Sequence, residues 1–91
     1  MTGLASPELA ARNLHDAWQQ GDRDAGLSYA AEQAVDQLFR RPYYQVDYAG
    51  CDAEGSGFTC FYSAEGEGIK MTVAGNREEG YRVSEVSFTS S

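Results

Sequence analysis

Two cysteines, the only ones in this chain, enclose the stretch Cys51-Asp-Ala-Glu-Gly-Ser-Gly-Phe-Thr-Cys60. A polar, glycine-rich turn separates them, and each sits in a run of strand-forming residues. Such a stretch reads as a β-hairpin. Reversal within 52–57 sets Cys51 opposite Cys60 on neighbouring antiparallel strands, where a disulfide would close a very short loop. Loop closure of this kind is worth about 2–3 kcal/mol on a chain-entropy account. Three other uses of the pair are weaker. Zinc needs three or four ligands, and the single histidine, His15, lies far back in the sequence. A redox motif places its cysteines two residues apart. Two reduced thiols buried as small apolar groups are the plain alternative.

A chain of 91 residues is one domain with a modest core. Six tyrosines, four phenylalanines and one tryptophan supply that core, so the chain is not of disordered type. Its net charge is −7, from 14 acidic and 7 basic residues. Residues 1–42 carry six acids and four bases, residues 43–91 eight and three. Binding to nucleic acid by phosphate neutralisation is disfavoured, as is adhesion to anionic lipid. A nucleic-acid-mimicking inhibitor would also be acidic, though with denser charge. No run of residues reaches membrane-spanning length, and the opening Met1-Thr-Gly-Leu-Ala-Ser6 lacks the apolar core of a signal peptide. A bridged pair of cysteines then implies an extracytoplasmic segment of a longer secreted or membrane-anchored precursor.

Ser6-Pro7-Glu8 is a helix start, with serine at the N-cap, proline at N1 and an acid in the first turn. Ala10, Leu14, Ala17 and Trp18 form one apolar stripe, and Gly21 ends the helix. Asp22 caps a second helical stretch. Its stripe runs through Leu27, Ala30, Ala31, Ala34, Val35 and Leu38 to about Arg40, with a bend expected near Ala31–Gln33. Pro42 closes the helical half, about 6–40. The sheet half, about 43–89, holds strands expected at 43–50, 57–63, 68–74 and 81–88, joined as a four-stranded antiparallel meander. Ile69, Met71 and Val73 alternate cleanly. In the last strand Tyr81 and Val83 differ in parity from Val86 and Phe88, so a β-bulge near Ser84-Glu85 is expected. In the first hairpin, Val46, Tyr48 and Phe61 are expected to face the helices, with Phe58, Tyr62 and the cysteines on the opposite face.

Ser-Pro-Glu-x-Ala-Ala-Arg-x-Leu, then Ala-Trp-x-x-Gly-Asp-Arg, then Ala-Val-Asp-x-Leu-Phe-x-Arg-Pro resemble small actinobacterial extracytoplasmic modules of lipoproteins and membrane-anchored proteins. Gly-Cys near 50, Cys-Phe-Tyr near 60 and Gly-Tyr-Arg-Val near 80 extend the resemblance over almost the whole chain. It implies an α+β fold, with two or three N-terminal helices packed on a bent four-stranded meander, a short relative of the cystatin-like and NTF2-like rolls. It implies no catalytic residues.

His15 and Asp16 are candidates for proton transfer, but a boundary histidine with one ring edge in water explains them as well. Tyr48 with Asp47 or Asp16 is a second pairing. Neighbouring strand residues point to opposite faces, so Tyr48 and Asp47 are not expected in one pocket. Tyr29, Tyr43, Tyr44, Tyr62 and Tyr81 read as core and surface aromatics. Arg40, Arg41, Tyr43 and Tyr44 form the one basic, aromatic cluster and are the candidate binding residues; cations at a helix C-terminus also account for it. Asp52, Glu54, Glu65, Glu67, Glu78 and Glu79 lie in expected turns without calcium-loop spacing. No metal site, cofactor fingerprint, P-loop or nucleophile elbow is present in the sequence. The expectation is a non-catalytic binding module, monomeric or weakly dimeric, taking a protein or small ligand through the open face of its sheet. The alternative is a small NTF2-like enzyme or carrier with an apolar pocket between helices and sheet.

Overall fold

The computed structural model describes residues 6–55, 57–76, 78 and 80–90. Residues 1–5, 56, 77, 79 and 91 lie outside them, Glu79 of the expected turn acids among them. Helix α1, Pro7–Gln20, begins where the Ser6 hydroxyl accepts from the Leu9 amide at 3.2 Å and ends at Gly21, whose φ of 71° is the left-handed cap. Helix α2, Arg23–Tyr29, is capped by Asp22, which accepts from the Ala25 amide at 3.1 Å. The expected bend falls at Ala30 and Ala31, slightly earlier than the sequence indicated. Both take extended backbone there, and the Ala31 amide donates to Val83 O at 2.8 Å. Helix α3, Glu32–Phe39, follows. An ion pair between Arg23 and Asp36 ties α2 to α3.

Four strands follow: β1 (Asp47–Glu54), β2 (Gly57–Ala64), β3 (Glu67–Asn76) and β4 (Gly80–Ser90). They form one antiparallel sheet in the order β1-β2-β3-β4. The three helices pack on one face of it, so the architecture is α+β. Strand β1 starts four residues later than expected and continues past Cys51 to Glu54. Residues after Pro42 serve instead to bring the chain back across α1. Cys51 and Cys60 are directly opposite and bridged.

Two bulges set which side chains point inward. In β4, Thr72 pairs with Glu85 and Val73 with Val83, leaving Ser84 as the extra residue. That is the bulge expected from sequence, and it puts Tyr81, Val83, Val86 and Phe88 on the helix side. A second bulge was not expected. Tyr48 pairs with Tyr62 and Gly50 with Phe61, so Ala49 is extra, and Gly50 has a φ of 108°. The bulge corrects the expected faces of the first hairpin. Val46 is buried and Tyr48 lies on the helix side as expected, but Tyr62, Cys60 and half-buried Phe58 share that side. Phe61 points outward and is 37% exposed.

The core between the layers is filled by Leu14, Val35, Leu38, Ile69, Met71, Val73 and Val83, each almost fully buried. On the other side the sheet is bare. Asp52, Phe61, Ser63, Glu85, Ser87 and Thr89 are exposed there. Thr59 is the buried polar side chain on this face, donating to Glu54 Oε2 at 2.9 Å. Gly57, beside it, has no room for a side chain: a Cβ would sit 2.6 Å from Val73 O.

Replacing both Cys51 and Cys60 with serine should lower stability by about 2–4 kcal/mol, shifting the melting midpoint by roughly 10–25 °C. Amide exchange should rise most over 47–63 and least in α1. Unchanged melting and exchange would show that the bridge does not organise the hairpin. Gly57→Ala should cost about 1–3 kcal/mol through the clash with Val73 O, read by denaturant titration against the permissive Ala53→Gly.

Candidate functional site

At one end of the molecule, α1, the 40–46 segment and the first hairpin converge on a group of rings. His15 and Trp18 are three apart on α1 and so lie on one helix face. The segment after Pro42 passes Trp18, and both Tyr43 and Tyr44 meet the indole edge-on, at 4.9 and 5.5 Å between centroids. The indole N–H donates to Arg41 O at 2.9 Å, satisfying the one polar atom of a nearly buried Trp18. Tyr62 reaches in from β2 and stacks parallel on the His15 ring at 4.9 Å. Tyr43 meets the same imidazole edge-on at 5.6 Å, and Tyr48 meets Tyr62 at 5.5 Å.

A cleft of about 230 Å³ opens beside this cluster, lined by Arg12, His15, Asp16, Val46, Asp47, Tyr48 and Tyr62. Both Asp47 and Tyr48 border it, contrary to the expectation that strand alternation would separate them. The cleft opens at the end of an edge strand, next to the bulge, where alternation no longer keeps the two faces apart. His15 Nδ1 lies 3.3 Å from Asp16 Oδ1, while Nε2 is buried without a hydrogen-bond partner among the described residues. The Tyr48 hydroxyl donates to Cys51 Sγ at 3.2 Å, since a bridged sulfur has no proton to give.

Burial sets the character of the two phenols beside the cleft. Burial holds the Tyr62 hydroxyl far above the ordinary tyrosine range, and the nearby Asp16 carboxylate adds to the effect. Burial likewise raises Tyr48, helped by Glu8. Both shifts favour the neutral phenol. What they offer is ring faces and hydroxyl groups.

The four candidate binding residues come to different ends. Arg40 is exposed at the C-cap of α3. Arg41 is engaged within the fold: its Nη1 is 3.1 Å from both Glu67 carboxylate oxygens, and its guanidinium lies 4.2 Å over the Phe88 ring. Tyr43 and Tyr44 are half-buried in the aromatic group. The Tyr44 hydroxyl faces Glu67 without full hydrogen-bond geometry. That hydroxyl, together with Arg41, draws the Glu67 carboxyl below its ordinary range. Sequence reasoning missed Glu67 and Phe88 as partners of Arg41, because nothing local marks residues that meet across the sheet. It also set His15 and Tyr62 in separate groups; the misassigned face of Tyr62 concealed their stacking.

Among the described residues no group of His, Cys, Asp or Glu is placed to hold a metal ion, and no helix is long and apolar enough to cross a membrane. No family model, curated protein or solved structure matches the chain.

Two pH dependences follow from these environments. Tyr62 has a folded pKa above its unfolded value of about 10, so its contribution is complete below that pH and fades as the pH rises beyond it. Tyr62→Phe should therefore flatten the loss of stability between about pH 10 and 12, measured by denaturation midpoints. Glu67 is shifted the other way, so its contribution is present above about pH 4.5 and lost as pH falls through its lower folded value. The gap between wild type and Glu67→Gln should be widest near neutrality and narrow below about pH 4. A gap independent of pH would remove the assigned role of Glu67.

Proposed function

We propose that this chain is a non-catalytic extracytoplasmic binding module of a longer secreted or membrane-anchored protein, with the roll of the cystatin-like and NTF2-like folds. The carrying observation is the division between a filled interior and a bare sheet. The alternative, a carrier or small enzyme, needs a concave apolar cavity with converging polar groups. The centre of the space between helices and sheet is taken by Leu14, Val35, Leu38, Met71 and Val83, and the cleft at its margin is bordered by the charged Arg12, Asp16 and Asp47 rather than by an apolar wall. Recognition therefore falls to the surface.

The first hairpin is the part of that surface best suited to it. Phe61 is exposed on its outer side, Tyr48 is exposed at its edge, and the aromatic cleft lies behind it. The bridge supports an oxidising compartment. Polar, hydroxyl-rich surroundings with isolated exposed rings suit a reversible contact better than a permanent, hydrophobic one.

A photo-cross-linking phenylalanine analogue tests this in the native cell envelope. Placed at 61 or 53 it should yield a discrete adduct, and placed at 19, on the solvent side of α1, it should yield none. Equal labelling from all three positions, or none from any, would refute the reading. Alkylation with and without reductant tests the compartment: the native protein should show no reactive thiol until reduced.

A further inference from the structure

The two edges of the sheet are treated differently. The edge of β4 is closed by the helical layer at its bulge. Val83 O accepts from the Ala31 amide at 2.8 Å, Ser84 O accepts from Gln33 Nε2 at 2.9 Å, and the Val86 amide donates to Gln37 Oε1 at 2.8 Å. Gln33 and Gln37 are one helical turn apart on α3, so one helix face serves both ends of the bulge. Arg82 reaches from the same strand to Leu27 O and Ala30 O, closing the end of α2. The edge of β1 has no such cover. Among the described residues nothing hydrogen-bonds to its outward backbone, and six of its eight residues are exposed. An uncovered strand edge presents a ladder of unpaired N–H and C=O groups that a further strand can complete.

We propose that the free edge of β1 is a docking strand for an extended basic segment of a partner protein, which adds to the sheet as a fifth strand. This rests on the reading of the chain as a binding module. Three observations define the occupant. Asp52 and Glu54 share the outer side of β1 past the bulge, each at a cross-strand position where an added residue would lie opposite. Glu54 is held on that face by Thr59. A second copy of this chain would set the same carboxylates against their own kind, so the charge selects against self-pairing and for Lys or Arg at alternate positions. Past the bulge, the run from Gly50 to Glu54 is regular and pairs residue for residue with β2.

The bridge and the cleft complete the site. Cys51–Cys60 fixes β1 against β2, so the edge is a preformed template whose ordering cost has been met in folding. Beyond Tyr48 the cleft presents Asp16, Asp47 and two tyrosine rings, and its own cation, Arg12, is engaged by Glu8 at 3.3 Å. A cationic side chain at the end of the docked segment meets carboxylates and ring faces there.

The probe is a capped heptapeptide of alternating Lys and Thr, titrated into the oxidised, isotope-labelled chain and followed by backbone amide spectra and exchange. Shifts and new exchange protection should be confined to 47–54 and the cleft, with β4 unaffected. Binding should weaken as salt rises. Asp52→Asn with Glu54→Gln should reduce affinity roughly three- to tenfold without altering the free spectrum elsewhere. A Glu/Thr peptide should not bind. The same Lys/Thr peptide methylated on alternate backbone amides should also fail to bind in one of its two registers, because strand pairing needs those N–H groups. No binding, or binding indifferent to methylation in either register, would overturn strand addition. Cross-linking from 61 or 53 that persists alongside that outcome would leave the module's binding role standing and remove only this mode. Loss of both would remove the role itself.

Discussion

The register of the first hairpin rests on the bond between Cys51 and Cys60. A slip of one residue would turn the side chains of β1 beyond it to the opposite face and take Tyr48 away from Tyr62. Tyr62 is set inward by its pairing with Ile69 on β3, where it stacks on His15; the observed register of β1 adds Tyr48 to that group. The bridge holds one register in a hairpin whose turn is rich in glycine and whose outer strand buries little. The helices then find a fixed surface.

The helices were legible because their signals are local. Ser6, Pro7 and Gly21 act within a turn of the residues they cap, and an apolar stripe declares its own period. The bulge at Ser84 was legible too, since apolar residues of conflicting parity flank it and all four must face one core. The bulge at Ala49 gave no such contradiction. Only Val46 and Tyr48 precede it, and they are consistent with either face until the pairing to β2 is known. Gly50 was the available signal, a glycine inside a strand run where a positive φ is needed. Missing it reversed the expected direction of Tyr62 and separated residues that are in contact.

The aromatic group was half legible for a related reason. Tyr43 and Tyr44 were picked out with Arg40 and Arg41 by proximity in sequence, as though they formed one surface. The fold keeps part of the group together: Arg41 and the Tyr44 hydroxyl both face Glu67. Arg41 turns toward Glu67 and Phe88, while the tyrosines turn toward Trp18. Spacing on a helix places His15 and Trp18 on one face of α1, where their rings lie 6.3 Å apart edge-on.

The placement of the bridge also has an energetic logic. Strands β2 and β3 each have two neighbours and contribute Tyr62, Ile69, Met71 and Val73 to the core. Strand β4 has one neighbouring strand but is backed by α3 and by Ala31. Strand β1 has one neighbour, no backing along its edge, and no fully buried side chain. Apolar burial at about 25 cal/mol per Å² cannot hold a strand that buries so little, and a covalent link substitutes for the missing area. Covering β1 with another helix would have stabilised it equally well and closed its backbone to partners. A staple stabilises the strand and leaves the edge open, so the covalent cross-link lies where the proposed docking would require an ordered but uncovered strand.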